Sequence, residues 1–303
     1  MTIALAGCGT GGSDAPTART QTAPRPVRGP ALCGRLRATV TGRVDTDAAT
    51  ELSGLVRSRV QPGVLWTHND SGDSARVFAI STTGHLRAEL SVPGAENIDW
   101  EDIAIGRATG GGWALFLADI GDNAEARPEI VVYSAPEPRL GQGSAATRAT
   151  TAPAQRFALR YPDGPHDAET LLVDPSTGAL VIVTKDFNGT ARVYTAPRRA
   201  PGASTTLGRR VTMSLGPGEA ITAGDVSADG RTVALRSYDR AYVFQRHGGD
   251  SLARTLAHRP CVAGADLIGE GQGEGLALAQ DGRAFSTVPE GRHPELRRYA
   301  PAG

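Results

Sequence analysis

Short apolar runs cut by clusters of Gly, Pro, Asn, Asp and Ser fill this chain from residue 36 onward, and they recur in groups of four. The first group predicts strands at 54–58, 64–68, 76–81 and 86–92, with turns at Gln61-Pro62-Gly63, 69–73 and Thr83-Gly84. A second group falls at 103–106, 113–118, 129–134 and 156–161, and a third at 171–174, 179–184, 191–195 and 206–215. The fourth reads 226–228, 232–236, 241–245 and 251–258. The fifth has only 276–279, 284–287 and 296–299, and the run at 36–44 supplies its missing outer strand. Repeats of ~40 to 50 residues, each a few short strands, are the pattern of a β-propeller, whose innermost strands line a central channel. An all-β, five-bladed propeller closed by an N-terminal strand is expected, because such closure removes the exposed edge of an open set of blades. Six blades remain the alternative if the stretches near 136–155 or 196–206 hide another.

A short acidic phrase marks the start of each group. The copies are Glu51-Leu52-Ser53-Gly54-Leu55, Trp100-Glu101-Asp102-Ile103-Ala104, Ala168-Glu169-Thr170-Leu171-Leu172, Ala223-Gly224-Asp225-Val226-Ser227 and Gly273-Glu274-Gly275-Leu276-Ala277. Aligned two residues before the hydrophobic position, the series is Ser53, Glu101, Glu169, Gly224 and Glu274. The turns between second and third strands open on the same face of a propeller and are polar here. They include His68-Asn69-Asp70-Ser71-Gly72-Asp73, Asp119-Ile120-Gly121-Asp122-Asn123, Lys185-Asp186-Phe187-Asn188, Arg236-Ser237-Tyr238-Asp239 and Val288-Pro289-Glu290-Gly291. Asp, Asn and Gly are ordinary turn formers, so any one turn has a structural explanation; their agreement across blades implies an acidic bowl.

Carboxylates converging on one axis repel and raise each other's pKa values unless something compensates. Two compensations are open. Hard oxygen ligands at this density suit Ca²⁺, which takes six to eight of them: the three glutamates, the Ser53 hydroxyl, a carbonyl near Gly224 and water. Alternatively, the glutamates bond backbone amides of adjacent blades and stitch the ring together.

Composition narrows the function. Lys plus Arg equals Asp plus Glu, 32 each over 303 residues, so no basic field exists to hold nucleic acid. Lys185 is the only lysine. Residues 1–34 are expected to be a lipobox remnant and tether, with the propeller spanning 35–303. Leu5-Ala6-Gly7-Cys8 has the form of a bacterial lipobox whose cysteine is acylated, although the stretch before it is short and lacks a basic segment for a signal peptide. The chain is therefore expected to start downstream of its true beginning. Gly, Thr, Ala and Pro dominate the stretch up to Pro30, which reads as a flexible spacer. With no run of about 18 apolar residues, contact with a membrane is expected through the lipid anchor alone. If Cys8 carries lipid, Cys33 and Cys261 remain as an even pair, consistent with a secreted protein in an oxidising compartment. Cys33 precedes the closing run and Cys261 follows the fourth group, so a disulfide there would clamp the seam of the ring.

The blade-start series resembles that of the calcium-activated nucleotidase (apyrase) family, five-bladed propellers with a central Ca²⁺. That resemblance implies ligands at Ser53, Glu101, Glu169 and Glu274, while Gly224 stands where the family has a second serine. The phrases His68-Asn69-Asp70-Ser71-Gly72-Asp73, Asp99-Trp100-Glu101-Asp102-Ile103-Ala104 and Asp119-Ile120-Gly121-Asp122-Asn123 are similar to those of a broad group of secreted bacterial propeller proteins.

Other catalytic patterns are absent: Gly269-Glu270-Gly271-Gln272-Gly273 lacks the Lys-Ser/Thr of a phosphate loop, and no Gly-x-Ser-x-Gly or His-Glu-x-x-His occurs. Two function classes follow. One is a Ca²⁺-dependent phosphohydrolase acting on nucleotides or other phosphate esters, with His68, Asp70, Asp122, Lys185 and Arg236 as candidate catalytic residues. The other, favoured because no residue set fixes a nucleophile or general base, is a monomeric lipid-anchored module. It would present its acidic channel mouth to a protein, glycan or phosphorylated small molecule, with Ca²⁺ bracing the channel.

Overall fold

A computed structural model describes residues 31–302, apart from 109, 142, 144, 145, 197–201 and 203. The described chain is a five-bladed β-propeller. From the channel outward, blade 1 is Leu52–Arg57, Val64–Asn69, Arg76–Ser81 and Leu86–Ser91. Blade 2 is Trp100–Arg107, Trp113–Asp119, Ile130–Pro136 and Gln155–Arg160. Blade 3 follows with Ala168–Val173, Leu180–Thr184, Thr190–Ala196 and Gly208–Ser214. Ala223–Val226, Thr232–Arg236, Ala241–Gln245 and Cys261–Val262 make blade 4. Blade 5 is Gly273–Leu278, Phe285–Pro289, Glu295–Pro301 and, from the other end of the chain, Leu36–Arg43.

The closing strand runs antiparallel to Glu295–Pro301, pairing Leu36 with Pro301 and Arg43 with Glu295. The innermost strands pack against one another in a closed ring, and nearly every residue on them is buried. Those strands are packed on both faces, which is why they read as continuous rather than alternating patterns.

Five separate hydrophobic clusters fill the five wedges between blades. Between blades 1 and 2 lie Trp66, Trp100 and Ile103; between 2 and 3, Phe116, Phe157 and Leu171. Between 3 and 4 lie Val183, Leu235 and Leu256; between 4 and 5, Val243, Leu276 and Phe285; between 5 and 1, Leu55, Phe78 and Val288. Each blade thus buries apolar side chains against both of its neighbours.

Two expectations are resolved by particular elements. The long connections hide no sixth blade among the described residues. Instead, Thr147–Thr150 adds a parallel fifth strand outside blade 1, and Thr205–Thr206 does the same outside blade 2. Residues 251–258 are not the outer strand of blade 4. They form a short helix, Leu252–Leu256, with Ser251 as N-cap accepting from the Arg254 amide, and the outer strand is Cys261–Val262. Leu252, Ala253 and Leu256 fall at helical spacing and enter the wedge between blades 3 and 4, so burial of one helix face outweighs the strand pattern.

Cys33 and Cys261 are joined by a disulfide with Cα atoms 5.7 Å apart. It ties the segment before the closing strand to the outer strand of blade 4, beside the Leu36 N–H that donates to the Gly264 carbonyl at 3.0 Å. The bridge spans a sequence separation of 228 residues, for which the chain-entropy picture gives up to about 5 kcal/mol. Among the described residues no helix is long and apolar enough to cross a membrane. The lipobox reading at Cys8 and the tether through Pro30 lie outside the described residues.

Candidate functional site

The three channel glutamates share a backbone device. In blades 2, 3 and 5 the innermost strand carries a β-bulge against its neighbour. Trp100 and Asp102 face Asp119 and Ala118, Ala168 and Thr170 face Thr184 and Val183, and Gly273 and Gly275 face Pro289 and Val288. The extra residues are Glu101, Glu169 and Glu274. A bulge leaves one residue unpaired and re-aims its side chain, so the glutamates escape the alternation of the strand. Blade 1 has its bulge at Gly54, and blade 4, with Gly224, has none.

Glu101, Glu169 and Glu274 are 2%, 2% and 3% exposed. Glu101, Asp167 and Glu169, all buried, bring one carboxylate oxygen each within 4.8 Å of the others. Asp70, Asp99 and Glu101 form a second such set that shares Glu101 and opens toward solvent. Gly121 makes room for it: a Cβ there would stand 2.1 Å from Glu101 Oε1 and 2.5 Å from Asp99 Oδ2. Lys185 donates to Glu169 Oε1, and its ammonium lies 5.8 Å from the ring centroids of both Phe187 and Tyr238. Tyr238 in turn donates to Glu274 Oε1 at 3.3 Å. Glu169 Oε2 is buried and has no hydrogen-bond partner among the described residues.

Electrostatics follow from burial among like charges. Burial, and then Glu169, hold the Glu101 carboxyl well above its usual range. Burial pushes Glu169 up to about 7 against the pull of Lys185. Glu274 is pushed up to about 7 by burial and by Glu169, and Glu290, half-buried and hydrogen-bonded to Glu274, to about 8. Burial also raises Asp70 and Asp99, each to about 6. For Lys185, burial works against the charge, yet Glu169 outweighs it and holds the ammonium above its ordinary value.

Stitching between blades is carried by the neighbouring positions. Asp102 accepts from its own Ile103 amide at 2.8 Å and from Leu171 of blade 3 at 3.0 Å. Asp225 accepts from Val226 at 2.7 Å and from Leu278 of blade 5 at 2.8 Å. The Ser53 hydroxyl donates to the Glu101 carbonyl at 2.5 Å. At Gly224 a Cβ would meet Leu235 Cδ2 at 2.6 Å and Thr170 Cγ2 at 2.9 Å, so the tight packing of blade 4 leaves no space for a serine.

No family model matches the chain. No curated protein matches it. Among solved structures it is similar to a gluconolactonase from Xanthomonas campestris, at 14% identity over 91% of this chain and 99% of that one, with a TM-score of 0.45. It is also similar to a protein from Bacteroides uniformis described as a candidate 6-phosphogluconolactonase, at 15% identity over 82% of this chain and 71% of that one, with a TM-score of 0.40. Those activities are named for those proteins, and neither likeness bears on the chemistry of this channel.

Of the five catalytic candidates, the fold brings Asp70 and Lys185 to the channel mouth and places the other three in supporting roles. Arg236 is fully buried, paired with the equally buried Glu270 at 2.9 Å and donating to the Ser237 and Gly275 carbonyls. Asp122 caps its own loop, accepting from the Ala126 and Arg127 amides at 2.9 and 2.7 Å. His68 is wholly buried, edge-on to Trp100 with centroids 5.3 Å apart, and burial lowers its pKa to about 4, so it is neutral. The structure adds Asp99 and Asp167. Both stand two residues before a channel glutamate, so a repeated Asp-x-Glu was the sequence signal for them.

Proposed function

We infer that this protein is an exported, lipid-anchored propeller whose channel mouth holds one divalent cation and presents a surface to a partner or ligand. The observation that carries the reading is the second oxygen of Glu169, buried without a donor among the described residues, on a residue whose carboxylate lies in one set with those of Glu101 and Asp167. A buried carboxylate oxygen with no partner is costly, and either a proton or a cation relieves it. Lys185 occupies Oε1, so Glu101, Asp167 and Glu169 Oε2 are the groups that would hold an ion. All are hard oxygens, which favours Ca²⁺ over the nitrogen- and sulfur-seeking metals.

When bound, the ion would supply positive charge able to take an oxygen of a partner, whether protein, glycan or phosphorylated small molecule. The chain itself contributes the Lys185 ammonium and the Tyr238 hydroxyl beside that position, and Asp70 and Asp99 on its solvent side. A binding role is favoured over a phosphohydrolase because His68, Asp122 and Arg236 are each committed to contacts inside the fold.

In chelator-treated protein, millimolar Ca²⁺ is expected to raise the melting temperature, and Glu169→Gln to remove most of that rise while leaving the fold intact. Equal melting with Ca²⁺ and with chelator would reject the metal. The Cys33–Cys261 bridge supports export, since disulfides persist in oxidising compartments. For the anchor, Cys8→Ala in the exported protein should move it from membrane fraction to medium; unchanged retention would sink that part.

A further inference from the structure

On the face opposite the channel mouth, the wedge between blades 3 and 4 holds a cleft of about 1060 Å³. Its origin is the irregularity of blade 4. Where the other blades have a full outer strand, blade 4 has the helix Leu252–Leu256 and a two-residue strand, so the wedge beside Gly208–Ser214 is left open. Departures from an otherwise regular repeat are where function is expected to lie, because regularity alone would close them.

The lining has two chemistries. Pro175, Ala179 and Val211, half-buried, and Ala257, exposed, present apolar surface over the buried Val181 and Leu252. Four guanidinium groups share the lining, and three already face carboxylates: Arg246 with Asp174 at 2.8 Å, Arg254 with Asp250 at 2.9 Å and Arg231 with Asp229 at 3.9 Å. Arg210 differs. Among the described residues it faces no carboxylate; its Nε donates to Thr195 Oγ1 at 2.8 Å, and its guanidinium lies over Gly208, where a Cβ would stand 3.1 Å from Nη2. An unpaired guanidinium at the rim of an apolar cleft of ligand size is the arrangement that recognises an anionic group on an apolar body.

We propose that this cleft is a second ligand site, taking a small anionic amphipath: an aromatic ring or short acyl chain bearing a carboxylate, sulfonate or phosphate, with the anion on Arg210. The site is separate from the channel and needs no metal. Its apolar wall selects the body of the ligand and Arg210 its charged end, so a neutral analogue of the same size binds poorly.

The test is a fluorescence titration of the folded, chelator-treated full chain with anilinonaphthalene sulfonate, followed by displacement with decanoate and with decanol. Saturable binding at one site is expected, displaced by decanoate far better than by decanol. Arg210→Glu should weaken binding about tenfold or more. Arg210→Lys should restore part of it, and Ala257→Trp should block it by filling the cleft. Glu169→Gln should bind the dye as the parent does, which separates this site from the channel. Non-saturating binding, equal displacement by the neutral alcohol, or unchanged affinity in both Arg210→Glu and Ala257→Trp would overturn the proposal.

Discussion

Replacing Arg236 by Met is expected to cost about 3–5 kcal/mol of stability, or roughly 5–9 °C in melting temperature for a domain of this size. Arg236 and Glu270 are both fully buried and 2.9 Å apart; the arginine is on blade 4, and the glutamate ends the short turn Ile268–Glu270 that leads into blade 5. Glu270 also accepts from Thr287 and Tyr299, each at 2.7 Å, so its carboxylate is held from several sides. Removing the guanidinium strands that charge in a dry wedge. The double variant Arg236→Met/Glu270→Gln should recover part of the loss, because it removes the uncompensated charge along with the pair. Urea denaturation measures both. A single-variant loss under about 1 kcal/mol would mean that the pair is solvated and adds little to the joint between blades 4 and 5.

Metal-free protein should lose stability as pH rises from about 6.5 to about 8. The folded-state pKa values of Glu169 and Glu274, about 7, and Glu290, about 8, lie above the ordinary 4.5, and Glu101 is raised as well. Between the unfolded and folded values the native state therefore holds protons that the unfolded chain has released. That contribution is complete below about 4.5 and is lost as pH climbs through the folded values. His68 acts in the opposite sense. Lowered to about 4, it favours folding above its unfolded value of 6.5 and opposes it as pH falls below, so the decline should be cleanest on the alkaline side. A cation at the site favours the charged carboxylates and should flatten the profile. Melting curves across this range, with chelator and with Ca²⁺, provide the check; a metal-free protein that becomes more stable from pH 6.5 to 8 would contradict the burial of these groups.

Much of the fold was legible because each innermost strand repeats one phrase at one spacing and the turns between strands carry Gly, Asn and Asp. The closing strand, Leu36–Arg43, was visible as an apolar run left over at one end and a strand missing at the other. Residues 252–256 were misread because Leu252, Thr255 and Leu256 suit either a strand or a helix in so short a window. Ser251 as a cap was the signal that distinguished them. At the channel, alignment brought Glu101, Glu169 and Glu274 to one level, and the structure explains that alignment as a shared bulge. The roles of Asp102 and Asp225 were hidden, since a carboxylate reaching the backbone of the next blade depends on how closely two blades approach. The same holds for Arg236, whose partner is 34 residues away in the connection to the next blade. A turn sequence cannot show whether its arginine faces solvent or a buried acid.

The central claim, a divalent cation held by Glu101, Asp167 and Glu169, is tested most directly by counting bound metal. Equilibrium dialysis of the chelator-stripped protein against Ca²⁺ at neutral pH, with metal analysis of the retained protein, should give one ion per chain. Glu169→Gln and Glu101→Gln, each shown to be folded by circular dichroism, should retain well under one. Metal-free wild-type protein after dialysis, or one ion retained equally by both variants, would contradict the account and leave the channel carboxylates held by Lys185 and their own protons.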